Sequence, residues 1–325
     1  MNLPGVPKYL SPARYWRRFI IMVNKIVMHN LDMLLAPEYQ TPLRYPPVFF
    51  LGAPRSGTTL VYQVFTDAFD VAYLSNFHCQ FFGAPALAEK IFHPLKRKSR
   101  SDYTSNYGQT KGASGPSECG LWWYRFFPSD PAYVTVKDIE NFKMRGFRRS
   151  LLALTESFNR PVIFKNLYAS LRLEPISKYI PEALFIVIKR NEIDNAHSIL
   201  EGRMKALGRY DLWWSVPLPD IEKLKLMEPA QQVIEQINGV YTLIDNAVKD
   251  GSIDKKRMLS IRYEDFCNDV GATLQKMERF LEGNNLSLRR RFSVPDKFPI
   301  NSALRIDKDI YSSLLAVSKK YKFNE

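Results

Sequence analysis

Cysteine and histidine are both scarce, and each shortage removes a class of chemistry. The three cysteines, Cys79, Cys119 and Cys267, are odd in number and widely spaced, so neither a disulfide framework nor a CxxC-type zinc site is expected. A reducing cytoplasm suits such a chain. The four histidines, His29, His78, His93 and His197, are scattered and form no metal signature. Long apolar runs are missing as well. Near the start, Arg14, Arg17 and Arg18 precede Phe19 to Val23, but Asn24 and Lys25 interrupt before Ile26-Val27-Met28. That run is too short to span a bilayer, and no small-residue cleavage site follows it. It reads as a basic amphipathic helix, either packed on its own domain or lying peripherally on a membrane surface. Acidic residues are the minority charge, 33 against 46 Lys and Arg, giving a net charge of +13. An anionic partner is implied: nucleotide, nucleic acid, acidic glycan or membrane.

What is present is a globular chain with 46% apolar residues and no internal repeat. Prolines 37, 42, 46 and 47 separate an N-terminal helical extension, 1–46, from the main domain, 47–325. The run Val48-Phe49-Phe50-Leu51 predicts a buried strand, and Thr58 to Phe69 a helix. Val71 to Leu74 reads as a second strand, whereas residues 75–120 read as one long irregular insertion that includes the basic run Lys96-Arg97-Lys98-Ser99-Arg100. A helix is expected to open near Glu118 with Ser117 as its N-cap, and another over 139–158. Strands follow at 161–165, 184–188 and 258–261, with helices at 173–179, 192–207, from Pro229, and at 273–281. Apolar strands alternating with helices imply an α/β domain whose central sheet is mostly parallel and covered on both faces.

The junction of the first strand and helix carries most of the functional information. Gly52-Ala53-Pro54-Arg55-Ser56-Gly57-Thr58-Thr59 is a tight turn opening into a helix, where unpaired N–H groups and the helix dipole make an anion cradle. Against the Walker-A pattern, Gly52, Gly57 and Thr59 fit, but Thr58 occupies the lysine position and the cation has moved to Arg55. A second strand end, Ile188-Lys189-Arg190, carries bases where a Walker-B strand ends in a magnesium-binding aspartate. Both departures argue against a nucleotide-dependent kinase. A basic nucleic-acid-binding protein would cluster its charges with aromatic residues on one face, whereas these spread along the chain.

The wording Pro-Arg-Ser-Gly-Thr-Thr resembles the 5′-phosphosulfate loop of sulfotransferases that use 3′-phosphoadenosine 5′-phosphosulfate (PAPS), which leave PAP as product. The resemblance spans about residues 47–305 and includes carbohydrate- and lipid-directed bacterial members and protein-tyrosine sulfotransferases. It implies a P-loop-like three-layer α/β fold with helical insertions. It also implies that Arg55, Ser56, Gly57, Thr58 and Thr59 hold the donor's 5′ side without metal, and that Arg190 and Ser198 hold its 3′-phosphate. Here Arg190 is followed by Asn191-Glu192 where the family often has Asp-Pro. The strand-end Lys165 would face the bridging oxygen of PAPS and, with Arg55, stabilise charge in the transition state. Glu118, in Gly-Pro-Ser-Glu ahead of Trp122 and Trp123, is similar to a family base, and His78 stands where the protein-tyrosine enzymes carry theirs. A small-molecule, glycan or lipid hydroxyl, and not a nucleic acid, is the implied acceptor, lodged by segments 75–120 and 209–219. The closing unit Tyr263-Glu264-Asp265 reads as packing and capping with the tyrosine near the nucleotide. Asn301 and Ser302 are read as further contacts.

Overall fold

The computed structural model describes residues 12–92, 100–104, 108, 110–300 and 303–321, the side chains of 12–17, 30 and 35 excepted. Asn301, Ser302 and residues 96–99 of the basic run lie outside the described residues. Among the described residues five strands, β1 (Val48–Leu51), β2 (Ala72–Tyr73), β3 (Val162–Lys165), β4 (Leu184–Lys189) and β5 (Met258–Arg262), form one sheet in the order β2-β3-β1-β4-β5. Every pairing is parallel, so the sheet is wholly and not merely mostly so. The helices are α1 (Pro12–Val23), α2 (His29–Leu35), α3 (Thr58–Ala68), α4 (Pro85–Phe92), α5 (Gly120–Trp123), α6 (Asn141–Phe158), α7 (Leu173–Tyr179), α8 (Glu192–Leu207), α9 (Ile221–Leu224), α10 (Pro229–Lys249), α11 (Tyr263–Asn268), α12 (Val270–Glu282) and α13 (Lys308–Ser318).

Strand geometry explains the near-continuous apolar runs. Alternate residues point to opposite faces, and both faces are covered. Phe49 and Leu51 enter one core with Trp122, Phe147 and the inner face of α10, while Val48 and Phe50 enter the other with α3 and α12. Register then aligns the functional ends. Phe50 sits beside Lys165 on one side and Ile186 on the other, so β3 ends one residue short of β1 while β4 runs on to Lys189.

The segment expected to be irregular contains a 3-10 turn, His78–Phe81, and α4, which starts on a proline that suits the first helical turn. Residues beyond it return to the sheet edge. Ser75 and Pro116 form an antiparallel bridge, and the Ser117 N–H donates to the Leu74 carbonyl at 2.8 Å. Helix α5 begins later than expected, with Cys119 rather than Ser117 at its N-cap, leaving Glu118 in extended chain ahead of it. Trp122 stacks on Phe164 of β3 with ring centroids 5.3 Å apart and donates its indole N–H to Ser150. Bridge and stack together fix Glu118 above the end of β3.

Candidate functional site

The loop between β1 and α3 is built by its backbone. Gly57 sits at φ +91°, left-handed, and a Cβ there would lie 2.1 Å from the Tyr263 ring. Arg55 is also left-handed at φ +63°, a conformation costing a non-glycine residue about 1–2 kcal/mol. Long-range bonds hold that strain in place. Asn195 donates to the Pro54 carbonyl at 2.6 Å, Arg190 Nη1 to the Arg55 carbonyl at 3.1 Å, and Arg55 Nε to Ser198 Oγ at 3.1 Å. All three partners come from the end of β4 or from α8, whose start is capped by Asn191 accepting from two backbone N–H groups. Glu264 of α11 accepts the Asn191 N–H at 2.9 Å, tying the helix that follows β5 into the same corner.

A cavity of about 260 Å³ opens at this carboxyl edge. It brings together Arg55, Gly57, Thr58 and Thr59 of the loop, Glu118, Lys165 and Arg190. Three cations therefore face one carboxylate. Lys165 is almost fully buried, 3% exposed, and its Nζ donates to Glu118 Oε1, while Glu118 is 31% exposed on the cavity side. The Arg190 guanidinium lies 5.1 Å from the Tyr263 ring centroid, and its buried Nε has no hydrogen-bond partner. An orphaned cationic donor beside a helix N-terminus is suited to an anionic oxygen. Two further left-handed residues flank the cavity: Cys119, next to Glu118, at φ +46°, and the lining residue Ser215 at φ +71°. Such strain concentrates at functional sites.

Three candidates fall elsewhere. Ser56 is fully buried, its hydroxyl turned under the loop where a Cβ on Gly52 would meet it at 2.7 Å, and does not line the cavity. Ser198 reaches Arg55 and likewise is not in the lining. His78 stands apart from the site. Its Nδ1 accepts the Ser75 N–H at 3.0 Å, its Nε2 meets Glu89 of α4 at 2.9 Å, and the ring packs against Phe158, so both nitrogens are engaged in the interior.

The sequence reading left out Leu60, Leu167 and Tyr168, which also line the cavity, and gave the segments holding Gly108, Trp214 and Ser215 to the acceptor side. For Tyr168 the usable signal was its place three residues beyond Lys165, in the 3-10 turn capped by Asn166. A second cavity of about 350 Å³ shares Gly108 and Glu118 with the first and is otherwise lined by Cys79, Ser117, Cys119, Gly120 and Leu121. Among the described residues no group of three or more His, Cys, Asp or Glu comes together, and no helix is long and apolar enough to cross a membrane.

A parallel sheet with a phosphate-type loop and converging bases at its carboxyl edge defines an α/β protein built to hold an anionic group. The comparisons narrow that class. The model for the sulfotransferase family matches residues 46–284, and the chain belongs to that family, which supports sulfotransferase activity. Among solved structures it is similar to sulfotransferase STF9 from Mycobacterium avium, with 15% identity over 97% of this chain and 80% of that one and a TM-score of 0.53. It also resembles sulfotransferase STF1 from Mycobacterium tuberculosis H37Rv, with 14% identity over 84% and 76% of the two chains and a TM-score of 0.49. Identities this low bear on the fold alone. No curated protein matches the sequence.

Proposed function

We propose that this chain transfers a sulfuryl group from PAPS to an acceptor hydroxyl, on a carbohydrate or a lipid. The observation that carries the reading is one cavity in which Arg55, Thr58, Thr59, Lys165 and Arg190 converge around Glu118. The donor set fits the cofactor. Loop N–H groups, two threonine hydroxyls and Arg55 suit a 5′-phosphosulfate, and the orphaned Arg190 Nε, with Ser198 steadying Arg55, suits a 3′-phosphate. PAPS, when bound, would supply the activated sulfuryl group. The rings of Trp214 and Tyr168 offer faces for a purine at the same cavity.

Glu118 takes the proton of the acceptor hydroxyl as that oxygen forms its new bond to sulfur. Lys165 Nζ donates to the oxygen on which negative charge builds as the old S–O bond breaks, and Arg55 neutralises the transferring group. In the structure Glu118 and Lys165 are bonded to each other. Glu118 thus stands at the boundary between the donor cavity and the second cavity, where the acceptor would enter, with Lys165 on the donor side. Residues 47–325 form the catalytic domain in this reading, residues 1–46 an extension, and the three free cysteines suit the cytoplasm.

Calorimetry with PAP tests the donor assignment. PAP should bind without added metal, and excess EDTA should leave its affinity unchanged. Tighter binding of ATP that depends on Mg²⁺ would overturn it.

A further inference from the structure

The N-terminal helix is built inside out for a helix facing water. Helix α1, the π turn Asn24–Met28 and α2 run on without a break, since the flanking residues keep helical dihedrals. Polar groups on this helix turn inward. Asn24 donates to the Gln80 carbonyl at 3.0 Å and accepts the Gly83 N–H at 2.8 Å. Asp32, 1% exposed, faces Arg125, which also donates to His29 Nδ1. Arg149 donates to the carbonyls of Met33, Ala36 and Pro37 and fastens the helix end to α6.

What faces solvent is apolar and cationic. The exposed side chains described between residues 18 and 35 are Phe19, Met22, Ile26, Val27, Leu31 and Leu34, joined by Arg18 and Lys25, with no carboxylate among them. Ile26 is 61% and Leu34 79% exposed, values at which an ordinary surface helix carries polar residues. The first 31 residues hold five Lys or Arg and no Asp or Glu; Asp32 is the first acid in the chain. Apolar side chains interleaved with bases suit an interface that is oily inside and anionic at its surface. A protein partner or a second copy supplies no reason for every acid to be absent.

We propose that this face docks on the surface of a bilayer containing anionic phospholipid, with Phe19, Met22, Ile26, Val27, Leu31 and Leu34 entering the headgroup boundary. Arg18 and Lys25 lie at the phosphate level. The helix lies in the plane of the membrane and does not cross it, and the catalytic domain rides on top.

The test is co-sedimentation of the full chain with vesicles of phosphatidylcholine alone and of phosphatidylcholine mixed with phosphatidylglycerol. Binding is expected to the mixed vesicles and to weaken with salt. Burying one aliphatic side chain is worth about tenfold, so Ile26→Gln with Leu34→Gln should lower partitioning about 100-fold. Arg18→Glu with Lys25→Glu should lower it about tenfold or more on the mixed vesicles only. PAP affinity, measured on every variant, should match wild type and shows that the fold is intact. Three results would overturn the proposal: no sedimentation of the wild type, equal sedimentation with both vesicle types, or equal sedimentation of wild type and the Ile26/Leu34 variant. Self-association without lipid that Leu34→Gln abolishes would overturn it too, assigning the face to a second copy.

Discussion

Glu118→Gln separates chemistry from binding more cleanly than any other change at this site. Glutamine keeps the shape and leaves a carbonyl oxygen for Lys165 Nζ, but it cannot take a proton. Its structural cost follows from the ion pair. Removing one member of a fully buried pair costs about 3–5 kcal/mol. Here only Lys165 is fully buried, Glu118 being 31% exposed, and the amide still accepts a hydrogen bond. The cost is therefore about 1–2 kcal/mol, below the total stability expected of such a domain. Loss of a positioned base lowers turnover about 10²–10⁴-fold, which is about 3–5 kcal/mol of barrier. The chemical effect exceeds the structural one, so the variant stays folded and slow. Single-turnover sulfuryl transfer at saturating acceptor reads the rate, and calorimetry reads PAP affinity, which should be equal or tighter because Lys165 has lost its anionic competitor. Near-normal turnover would refute the base assignment. If Glu118 and Lys165 act as one unit, adding Lys165→Met should cost less than the product of the two single effects.

Arg190→Ala should weaken PAP by about 1.5–3 kcal/mol more than it weakens a nucleotide lacking the 3′-phosphate, the range for hydrogen bonds to a charged group, the latter losing only what the anchor on the Arg55 carbonyl contributes; equal losses for both would show that Arg190 does not read that phosphate. Gly57→Ala should destabilise by about 2–4 kcal/mol, summing left-handed strain and a clash with Tyr263, and a thermal midpoint within a degree or two of wild type would contradict the close approach. Under the N-terminal helix, burial raises Asp32 to about 6 against the pull of Arg125, while burial and then Arg125 lower His29 to about 4. Folded Asp32 binds a proton more readily than unfolded, so acidification from about 6 toward 4 favours folding through Asp32; His29 does the reverse between 6.5 and about 4. Relative to wild type, Asp32→Asn should lose stability on acidification through that window and His29→Asn should gain it, whereas melting curves that stay parallel across pH would rule out the buried titrations.

The strands at the centre of the sheet were legible because a strand covered on both faces must be apolar throughout, as Val48–Leu51 and Leu184–Ile188 are. The turn between β1 and α3 was legible from chemistry: glycine where the left-handed turn needs it, and hydroxyls and a cation that the fold gathers at one cavity. What failed to show was structure made by distant pairing. The Ser75–Pro116 bridge joins residues 41 apart in a stretch with no strand pattern, and it is what sets Glu118 over Lys165. Helix α4 was hidden because eight residues beginning with proline give little periodicity. That omission also misplaced His78, whose partner Glu89 lies on that helix. The helix near the C-terminus, α13, also went unread although it has 11 residues. Ser56 belongs to the right motif, yet a motif does not say which of its side chains turn inward.

Every residue of the phosphate loop has been synthesised by Thr59, yet the cradle cannot exist at that point. Arg55 needs its carbonyl and guanidinium anchored by Arg190 and Ser198, and Gly57 is seated by the Tyr263 ring. The ring belongs to α11, after the last strand of the sheet. A nascent or truncated chain that stops short of Tyr263 carries the whole motif without the ring that seats Gly57. The loop's full set of contacts therefore arrives late in synthesis, with the closing of the sheet by β5 and the helix that follows it.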